Sequence, residues 1–589
     1  MPALGAIMTT AHFAFPLNVY ARMLELDEGR LDYLHYGLFE HAGEPVWRAQ
    51  QRASEALWRV LPAPCRVLEV GIGVGTTLRR LGLAGFRAVG ITPDAEQVAE
   101  VMRRCASTLD ARVSTLEALP AQPEPFDAML LQESAQYIEP LALFEAADRL
   151  LADESCIVVM DEFALQRPHA QAAGLHLHAH FVALARRMGW DVEHDEDVSA
   201  QAATTVSVMA SLLGRRRAEL VADLGLQPEC IDGLIDAARR YHACYAHGHY
   251  GYRILRLRRH RRPALRLGAV GADRSAAMRA LFERVFGRPL SAAEWHWKYG
   301  DGRGHAVGLW RGDELLAHYG EVTRKVLVDG RVERAAQVGD VMVLPGANAG
   351  LGRQGVLHQV SSTLLEQQIG WGTPHLLGFG FPNARAMRVA ERLGLYAAVD
   401  AVVQLEWPSG GPQRGADRLW RVREVDLARL DDASDDARLL RDAWQRMAAD
   451  LPRSILPLRD PAWLRHRYGG RPGVSYRAWV LRHRLGLQPP GALILREHAG
   501  HAELMDLVGS PRIWPVLLRQ ARRMAAACGH ARLLLWITQS QVGHLGEQGL
   551  EAQRLEVDVT VPSSVHTPGP ATAELRGRWL LTGGDTDFR

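Results

Sequence analysis

The sequence predicts a multidomain chain of mixed α/β and α+β class: a parallel sheet covered by helices on both faces, then two smaller mixed-sheet domains. Three observations carry this. At 589 residues the chain exceeds what one hydrophobic core supports, so two to four domains are expected. From Arg66 onward short apolar runs alternate with helix-like segments, the pattern of strands joined by crossover helices. Beyond the basic, proline-containing stretch HRRPALRLG the texture changes, and two short cues then recur at equal spacing.

The elements follow in order. Residues 16 to about 60 read as helices, because apolar positions in VYARMLEL and SEALWRVL recur at three and four. VLEVG then leads to TTLRRLGL, AVGIT to AEQVAEVMRRC, and FDAMLL to PLALFEAADRLL, before CIVVMDEF. A helix spans about His176 to Trp190. The segment TTVSVMASLL is ambiguous between strand and helix. A helix and a last strand, GYRILRLRR, close a first domain over residues 1–262.

Residues 268–407 read as helix, strands with turns, a Gly-rich break, helix, strand, helix, strand. The gap WPSGGPQRGADR marks the next boundary. EWHWKYGDGRG near Trp297 is echoed by AWLRHRYGGRPG near Trp463, and QVGDVMV near Asp340 by ELMDLVG near Asp506. The two cues lie 43 residues apart in each copy, so 268–407 and 416–589 read as a diverged internal duplication.

Composition narrows the class. Apolar residues at 47% and charged residues at 23% are ordinary for globular domains. A formal net charge of +2 gives no global reason to expect nucleic acid or an anionic membrane as partner. The basic run from Arg256 to Arg262 reads as a charged inter-domain linker. Six scattered cysteines without a CxxC pair argue against a disulfide framework or zinc knuckle and fit a reducing cytoplasm. The first residues lack a basic region before their apolar stretch, and no run approaches the ~20 apolar residues that cross a bilayer. A cytoplasmic protein without an integral membrane segment is expected; its oligomeric state is not legible.

The strongest local signal is VLEVGIGVGTTLRRL. A buried strand ends in an acidic residue, followed by glycines at 71, 73 and 75 and directly by a helix. Glycine lets backbone approach a ligand where any Cβ would clash, and a helix N-terminus offers unpaired N–H groups to a carboxylate. This stretch resembles motif I of class I methyltransferases, which carry a Rossmann-like sheet. The resemblance implies S-adenosylmethionine as cofactor, with Glu69 supporting its methionine-end amine and Gly71, Gly73 and Gly75 passing beside it. The second strand would end in Asp or Glu to hold the ribose, but Ile91 and Thr92 stand there. That departure resembles the cyclopropane-synthase and mycolic-acid-methyltransferase branch, and puts Thr92 and Gln97 in the ribose role. It also argues against a nicotinamide enzyme, which would want the acid.

FDAMLLQESAQYI resembles the family's motif IV region. Ligands of open α/β sheets lie outside the carboxyl ends of strands, so Gln132, Glu133 and Tyr137 should face the transferred methyl. Gln132 is assigned to the cofactor; Glu133 is the first candidate for a base and Tyr137 the second. LDYLHYGLFE resembles a Tyr-rich segment that closes over the cofactor in small-molecule and lipid methyltransferases, which implies Tyr33 and Tyr36 there. Core aromatics are the competing reading. Of His176, His178 and His180 only the first and last would share a helix face, and no metal is expected.

Residues 268–407 resemble the GNAT (N-acetyltransferase) superfamily through AQVGDVMVLPGANAGLGRQGVLHQVSSTLLEQ and HLLGFGFPNARAMRVAERLGLY. The resemblance implies acetyl-CoA or another acyl-CoA as cofactor. Val341 and Val343 would lie on the strand beside the pantetheine arm, Gly350, Gly352 and Gly355 on the pyrophosphate loop, and Asn383 at the coenzyme. Ala347 stands at the loop's basic or amide position, and Ala390 where the family's proton-donating Tyr would fall, with Tyr396 close by. The second copy, 416–589, lacks such a glycine loop and reads as degenerate.

The leading reading is a methyltransferase for a small molecule or a glycolipid or polysaccharide precursor, fused to a GNAT-like acyltransferase. One alternative makes the GNAT-like half a non-catalytic module for substrate or partner recognition; another is methyl or cyclopropane transfer to lipid acyl chains. A non-enzymatic scaffold conflicts with the intact motif I. Nucleic acid is disfavoured: there is no Asn/Asp-Pro-Pro-aromatic element and no basic face interleaved with aromatics.

Overall fold

The computed structural model describes residues 12–41, 43–105, 109–168, 174–347, 352, 354–410 and 418–589. The chain forms two compact units, Met1–Gly268 and Ala269–Arg589.

The first unit is built on seven strands: β1 (Arg66–Val70), β2 (Arg87–Thr92), β3 (Asp110–Val113), β4 (Phe126–Gln132), β5 (Leu151–Ala164), β6 (Asp191–Asp197) and β7 (Tyr250–Arg259). Their order is β3-β2-β1-β4-β5-β7-β6. Strands β1 to β5 run parallel, while β7 is antiparallel to both β5 and β6. The strand order reverses between β1 and β4, which opens a crevice outside their carboxyl ends. β4 and the second half of β5 are buried almost without a break, because helices cover both faces. The helix Val46–Val60 buries Val46, Ala49, Ala53, Ala56, Leu57 and Val60, a stripe at helical spacing.

Two readings change here. TTVSVMASLL lies wholly within the helix Ser199–Arg215. The basic run expected as a linker belongs largely to strand β7, where it meets the acidic edge strand β6. Arg253 pairs with Asp195 at 2.7 Å and Asp197 at 2.8 Å, and Arg256 with Glu193 at 3.1 Å. Arg259 is fully buried against Asp148, with its guanidinium 4.3 Å from the Trp190 ring.

Next come β8 (Arg266–Ala269), at the boundary between the units, and in the second unit β9 (Gly304–Arg311), β10 (Glu314–Val328), β11 (Arg331–Val343), β12 (Leu377–Phe379) and β13 (Tyr396–Pro408). Then come β14 (Trp420–Val425), β15 (Leu456–Pro457), β16 (Arg477–His483), β17 (Gly491–His498), β18 (His501–Gly509), β19 (Arg532–Thr538) and β20 (Gln553–Ser564). One sheet runs β12-β11-β10-β9-β8, with β15 added beside β10; the other runs β14-β16-β17-β18-β19-β13-β20. Each copy repeats strand, two helices, three strands, helix, strand, helix, strand. In each, the fourth strand leaves its parallel neighbour after a few pairs: β11 pairs β12 only over 335–337, and β18 pairs β19 only over 501–504.

The expected boundary at 407 falls at the end of β13, a strand that belongs to the later sheet. β13 pairs there with β19 and β20, both antiparallel. Its buried residues Val403, Leu405 and Trp407 join the core of the second copy. No helix among the described residues is long and apolar enough to cross a membrane.

Candidate functional site

At the crevice of the first unit, β1 runs into Gly71, Gly73 and Gly75, all in the left-handed region at φ 82°, 51° and 81°. The three glycines do different work. A Cβ on Gly71 would stand 2.7 Å from the Ser134 Cβ, and one on Gly75 2.7 Å from Val101 Cγ2. Both therefore serve packing as well as the turn. At Gly73 the nearest atom would be Leu34 Cδ1 at 3.8 Å, an ordinary van der Waals contact, so packing does not crowd this position. Gly75 N donates to Ile72 O, and the helix Thr76–Leu83 begins with no capping side chain on its first N–H groups.

Beside this turn two buried polar atoms lack a partner. Glu69, next to last in β1, is 2% exposed, its Oε2 accepts no hydrogen bond, and burial pushes its carboxyl well above the usual range. On the neighbouring strand β4, Gln132 accepts from Thr77 Oγ1 at 3.2 Å through Oε1, while its buried Nε2 donates to nothing. Glu69 is in register with Leu130, so Gln132 lies two residues on along the same face. At the end of β2, Thr92 donates to Gln97 Oε1 at 3.0 Å and accepts from Asp94 N at 3.3 Å.

The chain turns sharply after β4 at Glu133, a non-glycine residue at φ 55°. Its Oε1 accepts from the Tyr36 backbone N–H at 2.5 Å and from the Tyr252 hydroxyl at 2.5 Å. The rings of Tyr36 and Tyr252 stack at 5.7 Å with 9° between planes. Glu162, at the end of β5, accepts from the Tyr245 hydroxyl at 2.7 Å. Asp161 accepts from the backbone N–H of Gln136 and of Glu162. Burial raises Glu133 well above an ordinary carboxyl and pushes Asp161 and Glu162 up to about 7 each.

Tyr36 thus joins Glu133, whereas Tyr33 goes elsewhere: its hydroxyl accepts from Arg80 at 3.0 Å and its ring packs on His35. Tyr137 is 82% exposed, within charge range of Glu133, Asp161 and Glu162. His176 donates to Ile138 O at 2.9 Å and His178 lies 3.2 Å from Asp195. No group of three or more His, Cys, Asp or Glu among the described residues could hold a metal. Sequence reading passed over Asp161, Glu162, Tyr245 and Tyr252. The strand-end rule that singled out Glu133 applies equally to the Asp-Glu of CIVVMDEF; for the tyrosines there was no local signal.

In the second unit, β10 and β11 shift register between the pairs His318–Met342 and Gly320–Gly339, so that Asp340, at φ 49°, and Val341 stand against Tyr319 alone. Val341 is exposed and Val343 half-buried, on a strand whose far edge β12 has already left. Gly355 caps the helix Val356–Gln368, and its N–H donates to Gly352 O at 2.8 Å. Gly350 lies outside the described residues. Asn383 turns its Oδ1 inward to cap the helix Ala384–Arg392, accepting from Ala386 N at 2.9 Å. Ala390 sits on that helix. Tyr396 is buried, with its hydroxyl 2.6 Å from that of Tyr319.

The two copies share one further construction. Tyr299 donates to Asp340 at 2.6 Å on β11, and Tyr468 to Asp506 at 3.1 Å on β18. Lys298 joins Asp340 at 2.7 Å and also Asp587; Arg459 joins Asp506 at 2.7 Å and Asp585 at 2.6 Å. Burial works against the Lys298 ammonium, yet the two aspartates hold it up to about 12. In the second copy, residues 581–585 lie between the diverging ends of β18 and β19. Thr538 N donates to Leu581 O at 3.1 Å, and a Cβ on Gly584 would stand 2.9 Å from Met505 O.

Residues 68–159 match the methyltransferase domain family, and residues 269–397 the acetyltransferase (GNAT) domain family. No curated protein matches the chain. Solved structures similar to it include a putative sarcosine dimethylglycine methyltransferase from Galdieria sulphuraria, at 15% identity over 41% of this chain and 98% of that one, TM-score 0.36. Geranyl diphosphate C-methyltransferase from Streptomyces coelicolor A3(2) shows 16% identity over 42% and 94%, TM-score 0.34. A mycolic acid cyclopropane synthase shows 15% identity over 41% and 99%, TM-score 0.36. The chain thus carries a methyltransferase domain match over residues 68–159 and an acetyltransferase (GNAT) domain match over residues 269–397 in one polypeptide.

Proposed function

We propose that the chain uses S-adenosylmethionine to methylate a small molecule or a glycolipid or polysaccharide precursor, and that its GNAT domain acylates from an acyl-CoA. The observation that carries the first part is the pair of unsatisfied buried atoms beside the glycine turn. Glu69 Oε2 lacks a donor and Gln132 Nε2 lacks an acceptor, and an amino-acid ammonium and carboxylate supply one of each. A buried polar group left unpaired costs about 1–3 kcal/mol, which a ligand that satisfies both recovers. Packing does not crowd Gly73, and Thr92 at the end of β2, bonded to Gln97 on the next helix, offers groups to ribose hydroxyls.

When bound, S-adenosylmethionine supplies a methyl group activated on a sulfonium. The residues of this chain position the acceptor and exclude water. Glu133 can take the acceptor's proton at its carboxylate oxygen. It holds that proton readily, since burial favours the neutral acid, while the Tyr252 hydroxyl and the Tyr36 N–H stabilise the ionised form. The exposure of Tyr137 supports a contact with the acceptor rather than a role within the buried cluster.

For the second part, an acyl-CoA supplies an acyl group activated as a thioester. The unpaired edge of β11 beyond Gln337 and the start of the helix Val356–Gln368 support binding there. A specific observation favours the alternative of a recognition module: no phenol stands at position 390, and that of Tyr396 is enclosed with Tyr319.

Calorimetric titration of the full chain with S-adenosylhomocysteine, then acetyl-CoA, tests both parts. Saturable binding of both supports the fused enzyme, and binding of the first alone supports a methyltransferase with a GNAT-derived recognition half. Failure to bind S-adenosylhomocysteine overturns the proposal.

A further inference from the structure

The turn between the helices Ser275–Phe286 and Ala292–Tyr299 meets the 471–474 turn and strand β17 around a cavity of about 500 Å³. Arg288, Ser291, Glu294, Arg471 and Arg496 form its polar wall, and Phe588 an apolar side. Three guanidinium groups therefore face one carboxylate side chain.

That carboxylate compensates little. Glu294 reaches Arg288 only at 4.0 Å. Ser291 Oγ is used in capping its own helix, where it accepts from Glu294 N at 3.0 Å. Arg471 gives Nη1 to the Tyr476 hydroxyl at 2.8 Å and to the Arg589 main-chain oxygen, while its buried Nε has no partner. Arg496 makes no ion pair among the described residues. The carboxylate across the strand pair from it, Glu503, is already engaged by Arg589 and by His498 at 3.2 Å. Burial lowers the Arg471 guanidinium, and the charges of Arg467 and Arg496 lower it further.

Three guanidinium groups around a concave space that holds one carboxylate side chain are under-compensated, which favours entry of something negative. Guanidinium forks match the paired oxygens of carboxylate and phosphate, and the volume suits a small organic molecule. We propose that this cavity binds the oxyanion group of a small molecule, a carboxylate or a phosphate, with Arg288 and Arg496 as charged ligands and Arg471 Nε as a further donor. The site is lined wholly by residues of the second unit and does not depend on acyl transfer.

The test is calorimetric titration of the full chain at constant ionic strength with inorganic phosphate and, separately, malonate. Saturable binding of at least one probe is expected, weakened about tenfold or more by Arg496→Gln and by Arg288→Gln. The stronger probe tells whether the natural ligand is a phosphate ester or a carboxylate. Without ligand, Arg496→Gln should keep or raise Tm, because it removes an unpaired charge. Absence of saturable binding by either probe overturns the proposal. So does binding indifferent to both substitutions, or a lowered Tm in Arg496→Gln with binding unchanged.

Discussion

The Tyr252 hydroxyl donates to the Glu133 carboxylate across 2.5 Å, joining the start of β7 to the end of β4. It is one of two donors that favour the ionised acid in a setting that otherwise disfavours it. Tyr252→Phe should therefore move the titration midpoint of Glu133 up by about one pH unit. Carbon-13 NMR of glutamate-labelled protein, with Glu133→Gln to assign the signal, measures it. An unchanged midpoint would show that the phenol contributes nothing to the charge state.

Stability of the first unit should fall as pH rises from about 4 to about 7. The unfolded chain releases these protons near 4, whereas in the fold Asp161 and Glu162 keep theirs to about 7. Between those values the folded state binds more protons, so stability is greatest at the low end and is lost as pH passes 7. Urea midpoints followed by hydrogen exchange of residues 1–268 report this. The double substitution Asp161→Asn, Glu162→Gln should flatten the decline and be the more stable protein at pH 8.

Cofactor binding should depend on the acid near the end of β1. Glu69→Ala is expected to weaken S-adenosylhomocysteine about 10- to 100-fold, the worth of a hydrogen bond to a charged group. Gly71→Val should abolish binding and lower Tm, since any Cβ there meets Ser134 and the φ of 82° is strained for valine. Calorimetry and thermal melts separate the two effects. A Glu69→Ala protein that binds normally would remove this residue from the site.

In the second unit, Asp585→Ala should cost about 3–5 kcal/mol, because it leaves the buried Arg459 and Arg324 short of a counter-charge. Asp587→Ala should cost less: Lys298 keeps Asp340, and Asp587 is partly exposed. Denaturant unfolding monitored by hydrogen exchange in residues 269–589 would rank them. Equal losses would contradict the buried arrangement.

Tyr396→Phe should leave acetyl-CoA affinity within about twofold and cost roughly 1 kcal/mol, the worth of its hydrogen bond to Tyr319. A large loss of affinity by calorimetry would place the phenol at the coenzyme after all.

Much of this was legible before folding. VLEVGIGVGTTLRRL is strand, turn and helix in the structure, because buried apolar runs, left-handed glycines and helix starts are each written within a few residues. Strand β6 was not legible: DVEHDED has only charged and half-buried positions, and pairs because β7 offers arginines opposite it. The same pairing explains why the basic run is strand rather than linker. Gly71 and Gly75 looked like ligand contacts, yet each also packs on a neighbour that lies far along the chain.

Local chemistry settled the order of elements, the glycine turn, the acidic strand ends and the repeat centred on Asp340 and Asp506, since periodicity and backbone preference act over a few residues. Tertiary structure alone brought Tyr36, Glu133, Glu162 and Tyr252 to one cluster and put β13 into the later sheet. It also led residues 581–587 between the two copies. Such choices rest on which distant surfaces bury one another and which buried charges find partners, and no window of sequence contains both sides of that contact.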